Sequence, residues 1–76
     1  MQIKEIDVEI RAEMVANVLH IDVVPGTTVV PGQTLLLLES MKMEIPVIAE
    51  IGGRVTDVRV AAGDVVQEGD VLVILD

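Results

Sequence analysis

The 76-residue sequence contains no cysteine, phenylalanine, tyrosine or tryptophan, a single histidine and a single serine. Without cysteine there is neither a disulfide nor a thiolate metal site, and the composition fits a reducing compartment, so a cytoplasmic location is expected. His20 would need several carboxylates converging on it to build a zinc site, so no metal is expected. The absence of aromatic rings removes the usual means of stacking bases, and a formal charge of −8, from 13 acidic and 5 basic residues, repels phosphate. Nucleic acid is therefore disfavoured as a partner on two counts. The same charge argues against an anionic membrane surface. Apolar runs such as Leu35 to Leu38 are far too short to span a bilayer, and the start, Met1-Gln2-Ile3-Lys4-Glu5, lacks the basic and apolar regions of a signal peptide. Ser40 and His20 carry no local signature of a nucleophile and its base. No catalytic residue is expected, and the chain reads as something other than an independent enzyme.

What remains is aliphatic. Hydrophobic residues make up 51% of the chain, so the core must be assembled from Val, Ile, Leu, Ala and Met. One domain over residues 1–76 is expected, of a size at which the core is marginal. Ile6, Val8 and Ile10 alternate with Asp7, Glu9 and Arg11, and Val55, Val58 and Val60 surround polar positions. Such short β-branched segments between Gly and Pro read as strands. No sustained helical periodicity occurs, so an all-β fold is predicted.

The strongest organisational feature is an internal repeat. A shift of 37 residues lays Val8–Glu39 over Ile45–Asp76 without a gap. Ala12 meets Ala49, Val18 meets Val55, Gly26 meets Gly63, Gly32 meets Gly69, Leu35 meets Leu72 and Leu38 meets Leu75. Two copies are too few for a solenoid. Two half-domains, about 8–39 and 45–76, are instead predicted to pack around a pseudo-two-fold axis and cover each other's apolar faces. Pro25-Gly26 and Pro31-Gly32 suit type II turns, with Gly63-Asp64 and Gly69-Asp70 at the equivalent corners. The halves join through Glu39-Ser40-Met41-Lys42-Met43-Glu44. This places Lys42 at an exposed hairpin tip between two thioethers, where Gly, Asn or Asp is usual. From the residues alone, these methionines could be core fillers and Lys42 a solvated charge.

Ser40-Met41-Lys42-Met43 resembles the Ala-Met-Lys-Met biotinylation signature of the biotinyl/lipoyl attachment domain family. Gly32 ten positions before the lysine, Gly52-Gly53-Arg54-Val55 after it, and the closing Gly63–Asp70 stretch fit the same family, so the resemblance runs from about Val8 to Asp76. Two departures stand out: Ser40 replaces the usual alanine, and Ala12-Glu13-Met14-Val15-Ala16 lacks the prolines and glycine of Ala-Pro-Met-Pro-Gly. The second departure bears on the opening turn rather than on the lysine.

The resemblance implies a flattened β-barrel or sandwich of two four-stranded antiparallel sheets, without the protruding thumb of some bacterial acetyl-CoA carboxylase carriers. It implies a biotin carboxyl carrier, not an enzyme, with biotin attached covalently to Lys42 by biotin protein ligase. Met41 and Met43 would be flanking recognition elements, and Glu39 and Glu44 would face basic partner surfaces or solvent. Biotin carboxylase and carboxyltransferase are the implied partners, and a monomer in isolation is expected. With its Met start and no Ala/Pro-rich linker, the chain resembles small free-standing attachment proteins; the terminal domain of a larger carboxylase is the alternative. Lipoyl domains share the fold but carry Asp-Lys-Ala, so the two methionines favour biotin over lipoate. A dual acceptor and an unmodified interaction module remain the other readings.

Overall fold

Short segments rich in β-branched and aliphatic residues, several of them alternating with polar ones, form strands that pair into two sheets. The computed structural model describes residues 7–76. Ile6, the first apolar position of the predicted opening strand, and Glu5, the repeat counterpart of Lys42, lie outside the described residues, as does the rest of the opening segment. The strands are β1 (Val8–Arg11), β2 (Ala16–Ile21), β3 (Thr28–Val29), β4 (Thr34–Ser40), β5 (Met43–Ile48), β6 (Gly53–Val58), β7 (Val65–Val66) and β8 (Val71–Leu75). All pairings are antiparallel, in the orders β1-β8-β6-β3 and β5-β4-β2-β7. The described residues contain no helix. The longest connections between strands, residues 22–27 and 59–64, leave no room for a thumb.

The repeat takes a more entangled form than two packed halves. The 37-residue shift carries β1, β2, β3 and β4 onto β5, β6, β7 and β8, and so carries one sheet onto the other. Each sheet therefore takes two strands from each half. The turns that bracket β3 and β7 complete the exchange. Gly26 donates to the Val55 carbonyl at 2.7 Å and Val55 donates to the Thr27 carbonyl at 2.8 Å. In the other half Gly63 donates to the Val18 carbonyl and Val18 to the Asp64 carbonyl, each at 2.8 Å. The outer turns repeat the arrangement, Gly32 and Gln33 with Ala49, and Gly69 and Asp70 with Ala12. Neither half can satisfy its own backbone groups alone, and a buried unpaired amide is costly.

These turns are the type II corners expected from the sequence. Gly26 and Gly32 have φ of 98° and 88°, Gly63 and Gly69 have 94° and 93°, and each turn closes with an amide-to-carbonyl bond of 3.0–3.1 Å. The residue after each glycine adds a side-chain acceptor: Thr27 Oγ1, Gln33 Oε1, Asp64 Oδ2 and Asp70 Oδ2 take hydrogen bonds from the amides three residues earlier. Gly53 is required for another reason. A Cβ there would lie 2.6 Å from the Asp76 carbonyl oxygen, so β6 and the end of β8 approach as closely as they do only because it is absent.

The core is built from repeated pairs. Ala12 and Ala49, Val18 and Val55, Val29 and Val66, Leu36 and Val73, and Leu38 and Leu75 are all buried, and no polar side chain is buried among the described residues. Strict alternation fails at four places. Leu35 and Leu72 are passed over in the β4–β5 and β8–β1 registers, and Leu19 and Thr56 in the β2–β4 and β6–β8 registers. A bulge of this kind inserts one unpaired residue and bends the strand. It explains how adjacent Leu35 and Leu36, and adjacent Leu72 and Val73, are all completely buried. The free edges are blunted by Pro46 in β5, by Glu9 and Arg11 in β1, and by the brevity of β3 and β7.

Because Leu35 and Leu72 occupy equivalent sites, Leu35→Ala and Leu72→Ala should destabilise by similar amounts, about 2–5 kcal/mol each. Urea unfolding followed by far-ultraviolet circular dichroism checks this; a large loss at one site with none at the other would contradict the shared core.

Candidate functional site

β4 and β5 form the longest hairpin of the molecule. Its register pairs Leu38 with Ile45, Glu39 with Glu44 and Ser40 with Met43, which leaves Met41 and Lys42 as a two-residue loop. Both loop residues are left-handed, with φ of 53° and 64°. Positive φ at both central positions is the type I′ signature, whose twist matches that of the flanking strands. Asn-Gly is the usual occupant. For residues with an ordinary Cβ the left-handed region costs roughly 1–2 kcal/mol each. Long strand pairing and the inward pair Leu38 and Ile45 hold the loop in this conformation. Ser40 adds a tether, its hydroxyl donating to the Val15 carbonyl at 3.1 Å.

The tip is open to solvent. Met41 is 89% exposed and Met43 60%, and Lys42 is exposed between them. Val15, whose carbonyl takes the Ser40 hydrogen bond, is itself 56% exposed. Arg11 pairs with Glu9, Arg59 with Asp57 and His20 with Asp22. Lys42 has no ion pair or side-chain hydrogen bond among the described residues. One row below the tip, Glu39 and Glu44 stand directly opposite each other, with Asn17 beside Glu39 on β2. Like charges in that arrangement disfavour the pairing.

Other combinations weighed from the sequence do not assemble. Ser40 is bonded to Val15, whereas His20 lies opposite Leu37 and bonds Asp22 Oδ1 through Nδ1 at 2.9 Å. No group of three or more potential metal ligands occurs among the described residues, and no helix there is long and apolar enough to cross a membrane. A concavity of about 430 Å³ lies between β1 and β5, lined by apolar residues including Val8, Ile10, Ile45 and Val47. Its charged groups are Glu9, Arg11, Glu13 and Glu50, and Arg11 is already committed to Glu9 and to the Gly69 carbonyl. The Ser40–Val15 tether had no signal in the sequence. The facing glutamates did: a two-residue loop at Met41-Lys42 puts Glu39 opposite Glu44 by counting.

Residues 8–75 match the family described as Biotin-requiring enzyme, the biotin/lipoyl domain. The chain is 49% identical over 67 residues to the "Biotinylated protein TB7.3 homolog" of Mycobacterium leprae, covering 88% of this chain and 94% of that protein. It is 43% identical over 63 residues to the "Biotin/lipoyl attachment protein" of Bacillus subtilis, covering 83% and 86% respectively. Among solved structures, a single-chain, multi-domain long-chain acyl-CoA carboxylase superposes with a TM-score of 0.87 at 28% identity. That superposition takes in 97% of this chain and 8% of the carboxylase. The match along nearly the whole described chain, joined to a two-sheet fold that presents a lysine at a hairpin tip, leads to one assignment: the chain belongs to the biotin/lipoyl attachment domain family and is homologous to the carrier domains of biotin-dependent carboxylases.

Proposed function

We propose that the chain is a biotin carboxyl carrier, with biotin held in amide linkage on Lys42. The observation that carries this reading is the type I′ turn presenting an exposed lysine between two exposed methionines. A primary amine suits acylation and no described side chain hydrogen-bonds or ion-pairs with it, so the residues present fit the group. Biotin, when attached, supplies a ureido nitrogen that accepts carboxylate at one active site and releases it at another.

The chain's own part is attachment, reach and presentation. The Lys42 ammonium gives up a proton to the ligase, its Nζ attacks the activated carboxyl carbon of the acyl donor, and an amide forms as the activating group leaves. The four-carbon stem then gives the arm length and rotational freedom. The interleaved sheets hold the base of the arm still, so the tethered group reaches partner sites at an effective concentration on the order of millimolar. Met41 and Met43 offer an adaptable apolar contact to biotin protein ligase, biotin carboxylase and carboxyltransferase. Glu39 and Glu44 complement basic surfaces on those partners. The similarity to a protein named for both biotin and lipoyl attachment makes lipoate the second reading.

Co-expression with biotin protein ligase, followed by intact mass, should add one biotinyl group to the chain and none to Lys42→Arg, which retains Lys4. A lipoyl increment obtained only with lipoate ligase would establish the second reading, and no increment with either ligase would leave an unmodified module. Ser40→Ala removes the tether to Val15 and should cost about 1 kcal/mol; urea titration against the parent chain measures it, and an unchanged midpoint would mean the tether is idle. Met41→Asn puts a residue tolerant of positive φ at a strained position and should stabilise the fold by about 1 kcal/mol. The same change removes a recognition contact, so biotin transfer by the ligase should slow while stability rises. Parallel melting and single-turnover biotinylation would expose any failure of that trade.

A further inference from the structure

We propose that Met41 and Met43 are oxidation sites. Conversion of their thioethers to sulfoxides by a hydroperoxide would lower the ability of the Lys42 hairpin to engage its ligase. The chemical part rests on exposure and composition. The functional part rests on the biotin-carrier reading.

The chain has four methionines and no cysteine, so thioethers are its only oxidisable sulfur and no thiol intercepts the oxidant first. Met1 lies outside the described residues. Met14 is half-buried and packed against the core. Met41 and Met43 are 89% and 60% exposed, and they flank the lysine to be modified. Oxidation of methionine follows access to the sulfur. In the step, a sulfur lone pair attacks the distal oxygen of the hydroperoxide. The S–O bond forms as the O–O bond breaks, sulfur loses two electrons and the peroxide gains them. The departing hydroxide or alkoxide takes a proton to leave as water or alcohol.

The product turns a flexible apolar side chain into a polar one with a strong hydrogen-bond acceptor. On the free protein this changes little, because neither side chain is part of the buried core. Against a partner it changes more. The exposed apolar side chains of Met41 and Met43 must lose water when a partner covers them, and a sulfoxide resists that unless it finds a donor. The site thus separates folding from recognition: oxidation leaves the sandwich intact and alters only the contact surface around Lys42.

The full chain treated with hydrogen peroxide should gain one oxygen at Met41 and at Met43 roughly tenfold faster than at Met14, read by peptide mass mapping. The treated protein should keep its unfolding transition, yet accept biotin from the ligase with kcat/KM reduced roughly tenfold. Methionine sulfoxide reductases with a dithiol reductant should restore acceptance. In Met41→Leu/Met43→Leu, measured against its own untreated sample, peroxide should have no effect. Oxidation of Met14 at the same rate as the tip residues would overturn the site. Undiminished acceptance after complete oxidation of Met41 and Met43 would overturn its consequence. An untreated chain that takes no biotin would overturn the carrier reading and with it the consequence, while the mass map still decides the site.

Discussion

The structure depends on a reciprocal clasp of backbone hydrogen bonds, in which the turns of each half close on the strands of the other. Thr27 and Gly26 hold Val55 just as Asp64 and Gly63 hold Val18, and the outer turns do the same to Ala49 and Ala12. The held residues are themselves core residues. Main-chain satisfaction and burial are therefore a single event, and it cannot take place within one half. A chain this small, with neither disulfides nor aromatic rings, gains its rigidity by making every element depend on an element from the other copy.

That rigidity sets the geometry of the tip. The β4–β5 hairpin runs from the core pairs around Leu38 and Ile45 out to a loop of two left-handed residues with ordinary side chains. Such a turn would prefer Asn-Gly, and the facing Glu39 and Glu44 add a further unfavourable contact. Local choices that oppose stability concentrate where a protein contacts others. Here they sit around an exposed lysine and two exposed thioethers, on a scaffold whose other repeated positions favour the fold. In the proposed carrier role the chain would supply attachment and presentation, and partner enzymes the chemistry.

The all-β class, the two copies, the four glycine corners and the hairpin tip at Lys42 were legible in the residues, because each rests on a local rule: period-two patterning, self-similarity, positive φ at glycine, and a lysine at the midpoint of a repeat. The match of Ser40-Met41-Lys42-Met43 to a known signature gave the tip its chemical meaning. Other features were not legible. Leu35-Leu36-Leu37-Leu38 contains no alternation, so nothing local says which leucine leaves the register. The bulge at Leu35 follows from fitting β4 between β2 and β5 at once. Ser40 read as a small substitute for alanine, and its bond to Val15 appears only when a turn 25 residues away is brought beside the hairpin.

By itself, then, the sequence determined the kinds of element, their two-fold repetition and the lysine at the hairpin tip, since those properties depend on neighbours within a few residues or on comparison of the chain with itself. Only the tertiary structure decided that the halves are interleaved rather than stacked, that bulges bring consecutive side chains into the core, and that Ser40 bonds the Val15 carbonyl. Those outcomes depend on which distant backbone groups satisfy one another. A shift of 37 residues describes two sandwiched halves and two interlocked halves equally well; the hydrogen bonds between them are what distinguish the two.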